Sequence, residues 1–264
     1  MKTYFVVSDV HSFYYELTTS LHMKGFNLTD PNHILIICGD AFDRGDHSKQ
    51  LFDFLKDLDN EHRLIYVRGN HEDLLIDLVD ALRKNKYVGS HHISNGTVKT
   101  VANITGYNAY DVLNQTLDRN DFETRIDELV NFINSVTVDY FQLGNTVFVH
   151  GWVPTTANEQ GYMIVHNNWC EGDWKQARWE NGMELHHFGI CPSDVTTVVC
   201  GHWHTSFGWA KYAKECSEWG PDAIFKPYIN RFNNSTIIAI DACTAHTQTV
   251  NCVVFDENGN LINN

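Results

Sequence analysis

Five short apolar runs in this chain each lead straight into Asp, Asn or His. Residues 4–8 run into Asp9 and His11. Residues 33–38 run into Gly39-Asp-Ala-Phe-Asp-Arg-Gly45, and residues 63–67 into Gly69-Asn-His-Glu72. Two later runs deliver His150-Gly151 and Gly201-His-Trp-His204. Such runs are too short for an ordinary helix and suit strands buried on both faces. Helical patterns over 13–24 and 51–58 separate the first three, and another over 72–83 follows. Its acids lie early and Arg83 late, matching the helix dipole. Strand–helix–strand–helix–strand predicts a parallel sheet covered on both faces. The C-terminal ends of such strands share one edge, where ligands bind in open sheets.

The rest of the chain is less regular. The β-branched stretch 97–101 predicts a strand and 122–136 a helix. Residues 140–143 and 145–150, broken by Gly144, predict a hairpin. Residues 155–195 are polar and Trp-rich, with a short helix expected within 172–180. Strands are expected at 196–200, 236–241 and 250–255, with a turn at 256–260. No repeat or low-complexity linker divides the chain. One domain over 1–264 is expected, with a Trp-rich rim at 155–195 and a second rim segment at 209–231.

Composition narrows the function classes. With 33 acidic and 19 basic residues the formal charge is -14. That disfavours long nucleic acid and anionic membranes, though not a small anionic substrate, because bound cations invert a local field. The seven Cys include no Cys-x-x-Cys pair and read as buried free thiols of a reducing compartment. The first residues lack the pattern of a signal peptide, and no apolar run is long enough for a membrane span. A cytoplasmic protein is expected.

Taken singly, each polar strand end has an ordinary reading. Asp9 suits a helix cap, Asp40 and Asn70 suit turns, and His11 and His150 suit hydrogen-bonded histidines. His202 and His204 alternate around Trp203 and so are expected on one side of an extended segment. Together the five endings point elsewhere: mixed carboxylate, imidazole and amide donors suit a pair of transition-metal ions better than Ca. Paired cations acidify a water and grip both ends of an in-line displacement.

Asp9-x-His11, Gly39-Asp-x-x-Asp-Arg-Gly45, Gly69-Asn-His-Glu72, His150-Gly151 and Gly201-His-x-His204 resemble the ordered motifs of the calcineurin-like metallophosphoesterases. The set looks most like the bacterial and phage serine/threonine protein phosphatase branch, close to the symmetric dinucleoside tetraphosphate hydrolases. Asp241 resembles the Asp of the family's terminal strand. The resemblance implies an α/β (α+β by some schemes) four-layer α/β/β/α sandwich, adding a second mixed sheet that periodicity does not reveal. It implies two divalent metals, Mn foremost, with Fe, Zn, Ni or Co as alternatives. Asp9, His11 and His204 would ligate one, Asn70, His150 and His202 the other, and Asp40 would bridge. His71 would act as general acid, oriented by Asp43, with Arg44 gripping phosphate.

The implied reaction is hydrolysis of phosphomonoesters by a metal-bridging hydroxide. The substrate would be a phosphopeptide, a nucleotide or another phosphorylated small molecule. Dinucleoside polyphosphate hydrolysis and phosphodiester hydrolysis are the alternative chemistries. A catalytically silent interaction protein is the non-enzyme alternative, which a missing ligand would mark; every position is filled. Ser12 stands where that branch carries Gly, and is read as a cap of the first helix. Arg178 and Arg231 are the candidates for a second phosphate-binding Arg. Trp152 and Trp203 are candidates for the substrate rim, and the neighbouring tryptophans for a base-stacking platform.

Overall fold

The computed structural model describes residues 1–262. Its first sheet holds β1 (Thr3–Val7), β2 (His33–Cys38), β3 (Leu64–Val67) and β4 (Thr137–Val138), all parallel neighbours, with β12 (Val253–Phe255) antiparallel against β1. Val6 lies beside Ile36, and Ile36 beside Ile65.

Alternation along these strands explains the layers. Phe5, Val7, Leu35 and Ile37 pack with Leu17, Leu51, Leu75 and Ile126 from the covering helices. Those residues come from α1 (Tyr14–Met23), α2 (Ser48–Asn60), α3 (Asn70–Arg83) and α7 (Arg119–Val136). The other set, Tyr4, Val6, Ile34, Ile36 and Cys38, faces a second sheet.

That second sheet runs β10 (Tyr228–Phe232), β11 (Ser235–Ala239), β9 (Thr197–Cys200), β6 (Thr146–Phe148), β5 (Phe141–Leu143). Its three central strands are parallel and its two edges antiparallel. Phe148, Val199 and Ile238 complete the core between the sheets. The result is two mixed sheets flanked by helices, the α/β/β/α fold that the motif resemblance implied.

Much of the insert expected at 155–195 closes the second sheet's outer face. Trp152, Trp169, Trp174 and Met183 pack beneath Val147, Val198 and Ile237. Trp152 is fully buried, with its indole N–H donating to the Ile190 carbonyl, so it is core and not substrate rim. A small hairpin, β7 (Thr155–Ala157) with β8 (Met163–Val165), lies within this insert. The segment 209–231 runs into strand β10.

Residues 97–101 form no strand. They belong to helix α5 (Thr97–Thr105), which buries Val98, Val101 and Ile104 on one face. Two short helices, α4 (Ser90–Ser94) and α6 (Ala109–Asn114), flank it. Ser12 does not cap α1: it sits at φ 62°, fully buried, sharing a 2.9 Å hydroxyl contact with Ser48. Among the described residues, no helix is long and apolar enough to cross a membrane.

Candidate metal centre

The parallel strands of both sheets end at a common edge, where two clusters of donors meet. His11, Asp40 and His71 form one; Asp40, His150 and His202 form the other. Asp40 belongs to both, and its two oxygens face different ways. Oδ1 lies 3.3 Å from His150 Nε2, while Oδ2 lies 3.9 Å from His11 Nε2 and 3.8 Å from His71 Nε2. Asp9 approaches His11 Nε2 at 4.0 Å, and the Asn70 side-chain oxygen lies 2.8 Å from His150 Nε2.

Main-chain groups aim the imidazoles. His11 Nδ1 donates to the Phe42 carbonyl at 2.9 Å and His150 Nδ1 to the Cys38 carbonyl at 2.8 Å. Both rings therefore turn Nε2 inward. Carbonyl partners of this kind fix the tautomer of a metal-ligating His.

The turns that present these groups are strained. Among the described residues, fourteen non-glycine positions have positive φ; Asp9, His11, Ser12, Asp40, Asp43, Arg44 and His202 make up half of them. Such backbone persists where surroundings enforce it, and it clusters at functional sites. Glu72 is one enforcer. Its buried carboxylate accepts from the main-chain N–H of Asp40, Ala41 and Gly69 and from the Tyr66 hydroxyl. Gly39 is another: at φ 80°, a Cβ there would lie 2.4 Å from His150 Nδ1.

The electrostatics fit divalent cations. Burial, chiefly, pushes Asp9 up to about 6, Asp40 to about 7 and Asp241 to about 8, and holds His11 and His202 well below the usual imidazole value. Packing dehydrated acids beside neutral imidazoles is costly for the protein alone and favourable around bound cations. Two adjoining clusters sharing one carboxylate suit a dinuclear centre.

His71 also borders this site but is held differently. Its Nδ1 donates to Asp43 Oδ2 at 2.7 Å, and Arg44 Nη2 lies 3.3 Å from its Nε2. Burial alone would lower the ring; Asp40 and Asp43 outweigh it and raise His71 to about 9. Asp43 is clamped by Thr97 and Thr100, whose hydroxyls donate to its two oxygens at 2.9 and 2.8 Å. Arg44 is exposed at the mouth.

Other expected residues are placed elsewhere. His204 stands outside both clusters, its Nε2 3.0 Å from Glu218 Oε1. The extended segment expected for His202–His204 is broken, because His202 takes φ 65° and the chain bends. Trp203 is half-buried and stacks on His204. Arg178 binds no part of the centre: its buried guanidinium is shared by Asp73 and Asp139. Arg231 lies on β10 with Nε on the Thr236 hydroxyl.

Sequence reasoning missed Glu72, Thr97, Thr100 and Glu218. Glu72 stands three residues after Gly69, at the helix position from which a Glu reaches back to the N-cap N–H, and its carboxylate accepts from Gly69 N–H at 2.8 Å. Glu218 has no comparable sequence signal.

A family model for calcineurin-like phosphoesterases matches residues 2–206. The chain belongs to that family. Its fold and its intact donor clusters make it a metal-dependent phosphoesterase. Among solved structures, the cold-active protein-tyrosine phosphatase of a psychrophilic Shewanella species is 16% identical, with 98% of this chain and 76% of that one covered at TM-score 0.53. A protein provisionally described as a diadenosine tetraphosphatase is 14% identical, covering 99% and 92% at TM-score 0.49. A metallophosphoesterase from Sphaerobacter thermophilus is 12% identical, covering 96% and 83% at TM-score 0.46. The first of these likenesses speaks to fold only. A search of curated proteins gives no match.

Proposed function

We propose that this phosphoesterase hydrolyses phosphomonoesters, within the protein-phosphatase-like branch, on a substrate that is a phosphopeptide or a phosphorylated small molecule. The observation that carries the reading is the pairing of Asp40, shared between two donor clusters, with a cationic flank made by His71 and Arg44. A terminal phosphate is dianionic, and a guanidinium fork matches its oxygens.

Asp9, His11 and His204 would hold one cation, His204 by way of a ring that Glu218 already orients. Asn70, His150 and His202 would hold the other, with Asp40 shared between the two donor clusters. Two divalent ions bound there, Mn foremost, would supply an acidified water and charge neutralisation for an in-line displacement. Arg44 orients the phosphate. His71, whose Nδ1–H donates to Asp43, would carry its transferable proton on Nε2 and deliver it to the leaving oxygen.

The test is a substrate panel after metal stripping and reloading with Mn, Ni, Zn or Mg. It compares p-nitrophenyl phosphate, its bis-ester, a phosphopeptide and a dinucleoside tetraphosphate. Turnover of the monoesters is expected; turnover of the bis-ester alone would overturn the choice.

A further inference from the structure

Five of the chain's seven tryptophans are buried or half-buried, as is usual for so large an apolar side chain. The two that are not, Trp179 at 53% exposed and Trp219 at 57%, both lie against the paired histidines of Gly201-His-Trp-His204. Trp179 meets the His202 ring edge-to-face at 5.8 Å, and Trp219 lies 4.3 Å from the His204 ring. His202 belongs to a donor cluster, so one exposed indole flanks the metal centre directly and the other stands one ring away.

Neither indole hangs on a loose segment. Trp179 follows Arg178, whose guanidinium is locked between Asp73 and Asp139. Trp219 follows Glu218, whose carboxylate holds both His204 and Lys211. Trp219 is further backed by Phe225 at 6.2 Å and His246 at 6.0 Å. Each backbone is pinned by an ion pair at the preceding residue while its indole stays in water. Pre-organised, solvent-facing aromatic surface beside a charged site is costly unless a ligand covers it.

We infer that Trp179 and Trp219 are specificity-determining residues, forming an aromatic platform for a phosphate ester that carries a flat aromatic ring close to its phosphorus. The inference rests on the phosphoesterase reading above: Arg44 takes the phosphate and the indoles take the ring. A nucleobase and an aryl ester such as phosphotyrosine share this chemistry. Ring stacking of this kind commonly contributes about 1–3 kcal/mol per ring, or roughly 5- to 150-fold in affinity.

The experiment uses the Mn-loaded full chain and two non-hydrolysable probes, phenylphosphonate and methylphosphonate, read by calorimetry and by indole fluorescence. Phenylphosphonate is expected to bind about 10-fold tighter and to quench the emission. The double variant Trp179→Ala/Trp219→Ala should lose that preference, and Trp179→Phe/Trp219→Phe should keep most of it. Equal binding of the two probes by the wild type, or a preference surviving in the double Ala variant, overturns the platform. Adenosine monophosphate and a phosphotyrosine peptide then separate the sources: tight, quenching binding of either supports the proposal, and failure of both overturns it. The two readings fail separately. Turnover of glycerol phosphate and phenyl phosphate with no effect of the Trp variants on their ratio sinks the platform alone. Absence of any phosphate turnover or phosphonate binding sinks the phosphoesterase reading.

Discussion

Asp40 is where two demands meet: its carboxylate must face both donor clusters, and its own backbone must hold a left-handed turn at φ 54°. Asp40→Asn should leave the protein without tight metal and without activity, measured by elemental analysis beside a phosphatase assay. His71 has a different task, so His71→Asn should lower kcat by about 10²–10⁴ while metal content stays near two per chain. Loss of metal in that variant would contradict the division of labour. Glu218 is the residue that periodicity could not flag. Its carboxylate holds the His204 ring and Lys211; with His204 in the proposed ligand set, removing such an outer partner is expected to weaken metal binding about 10- to 100-fold. Glu218→Gln, titrated with Mn by calorimetry, should show that loss, and Glu218→Asp should recover part of it.

Helix α5 shows why some of this was hidden. Thr97, Val98, Thr100 and Val101 have the β-branched character of a strand, yet packing on α3 and α7 imposes a helix. The helical turn matters to the site. Residues three apart on a helix share a face, so Thr97 and Thr100 both reach Asp43; on a strand they would point to opposite faces. Thr97→Val with Thr100→Val should free Asp43 and lower kcat more than it changes KM, with far-UV dichroism unaltered. By contrast, β1 to β3 and their polar endings were legible, because unbroken apolar runs with Gly-Asp or Gly-Asn at the end admit few other folds. Four strands of the second sheet were legible singly, as the 140–143/145–150 hairpin and the runs at 196–200 and 236–241, but not their assembly into one sheet, because they are spread from 141 to 239 with a long insert between them. Trp152 was ambiguous for a related reason: whether a Trp beside a site residue faces inward depends on a sheet that periodicity does not reveal.

At the scale of the molecule the two sheets share one buried layer, with Tyr4, Val6 and Ile36 of the first packed on Phe148, Val199 and Ile238 of the second. The expectation of one domain over 1–264 then becomes a calorimetric prediction: a single unfolding transition, against two for separable halves. Ions bound in the donor clusters at the ends of both sheets would bind the folded state alone, so chelation is expected to lower that transition temperature and reloading with the proposed Mn to restore it. Arg178 is tied to Asp73 of α3 and to Asp139, so its loss should read as instability rather than as lost phosphate affinity. Arg178→Ala is expected to cost about 1–2 kcal/mol in urea unfolding, chiefly through the lost packing of a buried side chain, because Asp139 is exposed to water and Asp73 keeps its pair with Arg68.

Gly39 carries the consequence of this construction. Its missing methyl is the clearance that lets the β2 turn slide under the ring of His150 from the opposite sheet. Alanine there would act as a wedge, prising one half of the ligand set from the other without touching a single donor atom.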